Sequence, residues 1–233
     1  FREREGLDHP KMLALVRRLQ AMVAHVHGAG ILVVDLNELN FLVDKTFSSL
    51  YAIDVDSYQT RHYPATAIMA SIRDPKVSGS DFTEGSDWFS FACIAYQMFT
   101  GIHPYRGKHP RFSGEHAMVE RMAAQVSTFD PSVSVPKVVY PVEVIPPGYR
   151  AWLRAVLQDG ARVPPPADPG AFFLAVVTAR KVSSGAKLVI QAVEVFSGAL
   201  AGMIEGPAGI VGWMASAVWA GGETIPVGTL IEG

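Results

Sequence analysis

Apolar side chains at Met12, Leu13, Val16, Leu19, Val23 and Val26 recur every three or four residues, the spacing of one helical face. Asp8 stands ahead of them as an N-cap with Pro10 in the first turn, and His27-Gly28-Ala29-Gly30 closes the run. The short apolar run Ile31-Leu32-Val33-Val34 leads into a polar loop over 35–40. Two further apolar stretches, 41–44 and 50–55, flank a turn over 45–49 and predict two short paired strands. Residues 59–86 are rich in Pro, Ser, Arg and Asp without periodicity, which predicts a long loop of the kind that usually carries function. Ser86 and Asp87 then cap a run over 88–100 that is apolar almost all round, so a central buried helix is expected there. Gly101 stops it and Pro104 prevents its continuation.

Further on, 114–125 reads as helix, 127–147 as extended and proline-rich, and 149–158 as another amphipathic helix. Pro164-Pro165-Pro166 breaks the chain and places a boundary near residue 170. Beyond it, 187–195, 209–219 and 224–231 read as short β runs separated by Gly and Pro. The expected organisation is one domain over 1–170 and, over 171–233, the start of a β-rich module. The longest apolar stretch, 198–221, is Gly-rich and carries Glu205, which argues against a membrane span.

With 233 residues, 49% of them hydrophobic, the chain can bury one sizeable core or a core plus a small module. Twenty basic against 22 acidic residues leave no electrostatic footprint for nucleic acid or an anionic membrane. The single cysteine, Cys93, lies in an apolar run, so it reads as a buried inert thiol in a reducing, cytoplasmic setting. The opening FREREGLDHP has no apolar signal region and no Met, which suggests an internal start. His103, His109 and His116 lack the spacing of zinc ligands and read as surface or cap histidines.

The stretch 27–44, HGAGILVVDLNELNFLVD, resembles the catalytic loop of eukaryotic-like protein kinases, H-x-x-G-I-x-H-R-D-L-x-x-x-N-x-L. His27, Gly30, Ile31, Asp35 and Asn40 fall on its landmarks. Ala52-Ile53-Asp54-Val55-Asp56 stands where kinases carry a strand ending in D-F-G. Ser86-Asp87-Trp88-Phe89-Ser90-Phe91 resembles the start of the kinase central helix, and Gly101-Ile102-His103-Pro104-Tyr105 its end. Ile145-Pro146-Pro147 and the helix before Arg162 resemble the late kinase helices. The resemblance covers about 8–170, and its variants look more like divergent bacterial or phage kinase-like proteins than like animal kinases.

The resemblance implies an α+β fold, the mainly helical C-terminal lobe of a kinase with short strands at the catalytic loop. It also implies ATP and Mg as cofactors and a protein substrate. Asp35 would orient the acceptor hydroxyl, or else only tighten its turn. Asn40 and Asp54 would hold Mg²⁺ and with it the nucleotide, or be an ordinary turn Asn and strand-end Asp. Asp56 would add a metal ligand or solvate the loop. Asp87 would accept from the catalytic-loop backbone or serve as the helix N-cap, and Arg162 is the structural arginine of the late helices.

Several positions depart from the kinase pattern. Val33 and Val34 replace the His-Arg ahead of Asp35, removing the arginine that would pair with an activation-loop phosphate. Asn37 replaces the lysine that approaches the γ-phosphate. Arg73-Asp74-Pro75-Lys76 occupies the A-P-E region with Lys76 where a Glu is expected, leaving the partner of Arg162 open. The Gly-rich strand-loop and strand lysine that hold ATP have no counterpart ahead of Asp35, so the N-terminal lobe is expected from a missing upstream segment. Two other readings stand beside an active kinase. One is a pseudokinase scaffold. The other is a small-molecule kinase of the aminoglycoside type, which the central-helix and Gly-Ile-His-Pro matches disfavour.

Overall fold

The computed structural model describes residues 2–65, 68–167, 200–206, 209–214, 217–220 and 223–226, and its elements are α+β. A single-turn helix α1, Arg2–Glu5, precedes the long helix α2, His9–Gly28. α2 starts where the Asp8 carboxylate accepts from the Lys11 amide at 2.9 Å, satisfying one donor that every helix start leaves open. Its buried stripe is Met12, Leu15, Val16, Leu19, Val23 and His27. Leu13 and Val26, expected on that face, are only half-buried. The stripe includes His27, a polar residue, because a buried carboxylate meets it there.

The central helix α3, Glu84–Thr100, begins earlier than the apolar run suggests. Thr83, not Ser86 or Asp87, is the N-cap. The Ser86 amide donates to the Thr83 hydroxyl at 3.2 Å and the Thr83 amide to the Ser86 hydroxyl at 2.9 Å, a reciprocal capping box. Ser86 and Asp87 therefore fall inside the first turn, where Asp87 is fully buried. Gly101 ends the helix at φ +82°, a conformation a side chain would strain.

Aromatic rings fill the space around α3. Trp88 meets Phe91 edge-on at 5.7 Å, Phe91 meets Trp152 at 5.7 Å, and Tyr96 meets Phe129 at 5.5 Å. Burial of each such side chain contributes about 1.5–3 kcal/mol. Cys93 is buried among them, and burial pushes its thiol well above the ordinary range, so it carries no reactive thiolate.

Residues 31–34 do not form a strand. Leu32 makes a single bridge to Gln59, and the amides of Val33 and Val34 bond a side chain instead of a ladder. The expected strand pair is present but short: β1, Phe41–Val43, runs antiparallel to β2, Leu50–Ala52. Asp44 holds their turn by accepting from the Thr46 hydroxyl and from the Ser48 and Ser49 amides. Those bonds, the Thr46 hydroxyl first, hold its carboxyl below the usual carboxylate range.

Helix α4, Ala117–Ala123, is shorter than the polar-apolar pattern suggests, since Gly114 and Gln125 at either side adopt positive φ. Its Arg121 is buried and donates to the carbonyls of Val126 at 2.9 Å and Gly107 at 3.3 Å. Helix α5, Pro147–Leu157, follows, and the Trp152 indole donates to the Val163 carbonyl at 3.0 Å.

The chain divides into two compact units, Phe1–Ile145 with Arg150–Pro165, and Pro146–Tyr149 with Pro166–Gly233. The second contains an antiparallel sheet in the order β3, Leu200–Gly206, β4, Gly209–Met214, β5, Ala217–Ala220, and β6, Glu223–Pro226. β3 lies in the Gly-rich stretch ahead of the expected run 209–219, where the sequence pattern gives no strand. The expected run 209–219 is two strands, and 187–195 lies outside the described residues. Among the described residues no helix is long and apolar enough to cross a membrane.

Candidate active site

The loop that leaves α2 is held from beneath by one carboxylate. Asp87 Oδ2 accepts from His27 Nε2 at 2.8 Å and from the Val33 amide at 2.7 Å, and its Oδ1 accepts from the Val34 amide at 2.9 Å. A buried carboxylate facing three donors is well satisfied. Val34 needs that support, because its φ of 62° is left-handed and costs a β-branched residue about 1–3 kcal/mol.

Asp35, next in the chain, is half-buried and has both oxygens engaged. Oδ1 accepts from the Met69 amide at 2.7 Å. Oδ2 accepts from Asn37 Nδ2 at 2.9 Å and from Asn40 Nδ2 at 3.3 Å. Asn40 Nδ2 also donates to the Asp35 carbonyl at 2.9 Å. Asn37 is itself buried, and its Oδ1 accepts from the Leu39 amide, starting the short 3₁₀ turn Glu38–Asn40. The residue standing where a kinase has lysine thus props the Asp35 carboxylate.

Asn40 is brought beside the next strand end by its carbonyl, which accepts from the Ile53 amide at 2.9 Å. Asp54 follows in the left-handed region, φ 55° and ψ 55°, and is exposed. Asp56 is exposed on the 3₁₀ turn Val55–Ser57, and no bond joins it to Asp35 or Asn40. The described residues contain no cluster of three or more His, Cys, Asp or Glu able to hold a metal. What the loop offers is the Asp54 carboxylate and the Asn40 amide oxygen. These are hard oxygen donors open to water, a set that fits Mg²⁺, an ion that keeps several waters.

Four ties fasten the segment 69–74 beside this loop. Besides the Met69–Asp35 bond, His103 Nε2 donates to the Ser71 carbonyl at 2.8 Å and the Ser90 hydroxyl to the Ile72 carbonyl at 2.8 Å. The fourth is a fork: Arg162 Nε and Nη2 reach the two oxygens of buried Asp74 at 2.5 and 2.6 Å. The Arg162 guanidinium also lies 4.5 Å over the Phe89 ring. Lys76 takes no part in the pair; its Nζ donates to the Gly160 carbonyl at 2.7 Å.

His103 makes this clamp sensitive to acid. Its Nδ1 accepts from the Tyr105 amide at 3.3 Å, which leaves the proton on Nε2. Burial lowers its pKa from 6.5 to about 4, only partly opposed by the bond to Ser71. The unfolded chain takes up a proton near pH 6.5 that the folded chain refuses until about pH 4, so stability falls as pH drops through that window. His103 alone should cost about 3 kcal/mol between pH 7 and 4. Urea midpoints across that range should flatten in His103→Asn, and an unchanged slope would contradict the assignment.

Sequence reasoning missed four contributors: His27 as the partner of Asp87, Asn37 as the prop of Asp35, the Met69 amide, and Asp74 as the partner of Arg162. His27 and Asp74 had a signal. The first is a landmark of the loop pattern, and the second is a carboxylate next to Pro75 in the A-P-E region.

The loop, its anchoring carboxylate and the clamped segment form one connected unit, and partial similarity to protein kinases suggests a kinase-like region in this chain. Sequence comparison finds similarity to protein kinases over part of the chain. The chain is 28% identical over 89 residues to ribosomal protein S6 kinase alpha-2 of Mus musculus, covering 36% of this chain and 12% of that kinase. The human protein of that name is 30% identical over 92 residues, with the same shares covered. A probable serine/threonine-protein kinase of Dictyostelium discoideum is 26% identical over 111 residues, 46% of this chain and 8% of that protein. The chain therefore spans 12% or less of the length of these relatives. No family model matches it.

Proposed function

We propose that residues 1–170 form the catalytic-loop lobe of an ATP- and Mg-dependent protein-kinase-like phosphotransferase acting on serine or threonine of a protein. The observation that carries this reading is the Asp35 carboxylate, held by Asn37 and Asn40 on a loop fastened to Asp87, with Asp54 across the hairpin. Mg-ATP, when bound, supplies the phosphoryl group and neutralises the charge that develops on it. Asn40 and Asp54 would hold the metal. Asp35 Oδ1 would exchange the Met69 amide for the acceptor hydroxyl and orient its proton. Arg162 and Asp74 keep the segment that faces the acceptor in place.

Phosphotransfer requires a nucleotide-holding lobe, which we assign to an upstream segment. The hairpin side of the loop supports this, since Leu39, Leu42, Tyr51 and Val55 are 68%, 55%, 58% and 52% exposed. Such a patch marks a surface that another element covers. The lone buried thiol accords with a reducing, cytoplasmic setting.

A pseudokinase is the second reading, favoured by the Met69 amide on Asp35 Oδ1 and by Asn37 in place of a lysine. Transfer of labelled phosphate from ATP by the full-length protein, in Mg²⁺ and after chelation, separates the two. Transfer that chelation abolishes supports the enzyme. Mg-dependent nucleotide binding without transfer supports the scaffold.

A further inference from the structure

Two cavities on the first unit meet beside α1. One, of about 500 Å³, is bounded by α1, the start of α2 and the residues Tyr140 and Val144. The other, of about 480 Å³, lies against α3. Both are lined by Arg2, Leu7 and Tyr140, so they open into each other there and form one elongated hollow of a size that takes a small molecule. Its two chambers differ in chemistry. The second has an aliphatic and thioether wall of Met12, Ile94, Met98 and Val139, interrupted by Glu38 and Gln97, whose side chains face each other at 3.4 Å. The first is polar at its rim, where α1 turns into α2.

Arg2 is the cation common to both chambers. Its guanidinium lies 4.5 Å over the Tyr140 ring and, among the described residues, forms no salt bridge. Burial is the largest influence on its pKa and lowers it, the mark of a charge that has given up water without gaining a counter-ion. The nearby carboxylates do not supply one. Asp8 is committed to the start of α2, accepting from the Lys11 amide at 2.9 Å, where the positive end of the helix offsets its charge. Lys11 adds a second cation at the same rim, its Nζ donating at 2.7 Å to the carbonyl of Gly6, which lines the first chamber. His9, also in that lining, has its ring against Phe99 at 6.2 Å, and Glu38 lines only the second chamber.

We infer that this hollow binds a free aliphatic carboxylate, a medium-chain fatty acid. The carboxylate pairs with the Arg2 fork in the first chamber, and the chain passes Leu7 and Tyr140 into the second. A flexible chain suits two joined chambers better than a rigid ring system, and the unbranched side chains of Met12 and Met98 adapt to it. Tyr140 is the one Phe, Tyr or Trp of the lining and has a face already covered by Arg2, so an aromatic ligand finds little to stack on. Two cations at one rim are too few to hold a membrane surface, which takes a cluster of them. Glu38 and Gln97 set the length, because an alkyl chain that reaches them strips their water and returns nothing. Binding needs no nucleotide and does not rest on the phosphotransfer reading.

Titration calorimetry of the 233-residue chain with free fatty acids below their micelle concentrations tests this. Affinity should rise about tenfold from octanoate to decanoate, the scale of two buried methylenes, and should have stopped rising by hexadecanoate. Decanol has the same chain without the charge and should bind about tenfold more weakly than decanoate, the scale of a hydrogen bond to a charged group. Arg2→Gln should remove that difference and leave decanol binding as it was. Met98→Asp should weaken both ligands about tenfold while Met98→Leu keeps both, with urea midpoints checking that each variant is folded. No saturable binding of decanoate, equal affinity for decanol and decanoate, an Arg2→Gln chain that still prefers the acid, or a folded Met98→Asp chain that binds as before would overturn the site. So would affinity that keeps rising through hexadecanoate, or binding only to anionic phospholipid vesicles, since either means a greasy surface and not a built cavity.

Discussion

Asp35→Asn is expected to lower phosphate transfer by about 10²- to 10⁴-fold, the range in which a positioned acid-base group acts. The substitution keeps the side chain's shape but turns an acceptor-only group into one bearing an NH₂. Asn37 Nδ2 and Asn40 Nδ2 both point donors at Oδ2, so the new amide is either repelled there or rotates its NH₂ toward the Met69 amide. In both orientations the acceptor hydroxyl loses its ionised partner. Asp54→Ala should abolish transfer as well, through the metal, and should raise the Mg²⁺ needed for nucleotide binding, which Asp35→Asn should leave alone. Initial rates with labelled ATP, with Mg²⁺ varied, distinguish the two. Undiminished transfer in both variants would remove the site assignment.

The second large effect is on stability. Asp87→Ala leaves His27 Nε2 and the Val33 and Val34 amides without their acceptor in a buried place. Stranding donors of that kind costs about 3–5 kcal/mol, a large share of a typical domain's margin. Val34 also loses the bond that holds it in the left-handed region. Urea unfolding should show the midpoint collapse. A loss of less than about 1 kcal/mol would mean that water or a rearranged loop replaces the carboxylate.

Much of this was readable in advance where the cause is local. The stripe of α2, the turn at Asp44, the apolar run of α3 and the stop at Gly101 depend on neighbours within a few residues, and periodicity and capping chemistry report such neighbours. Even there the start of α3 was misplaced, because Thr83 and Ser86 cap each other while Ser86-Asp87 looked like the cap alone. The sequence shows Ile31-Leu32-Val33-Val34 only as a short apolar run. It is pulled out of a ladder by a carboxylate 54 residues away. Likewise the pairing of Asp74 with Arg162 spans 88 residues, and no spacing rule reaches that far. Asn37 was read only as a lost lysine. Its hydrogen bond to Asp35 is a property of the turn, which the pattern of residue types does not display.

The exposed side chains of the hairpin bear on the order of assembly. Leu39, Leu42, Tyr51 and Val55 contribute little to the core around α2 and α3, which is complete without them. The upstream lobe proposed above is made first, and a lobe with its own core can fold by itself and then meet it as a finished surface, so joining the two is a docking step and not a folding step. Polar changes at these positions should slow or weaken that joining while leaving the lobe's own unfolding rate as it was. Until joined, the same face is what a chaperone or a second copy of the chain would find first.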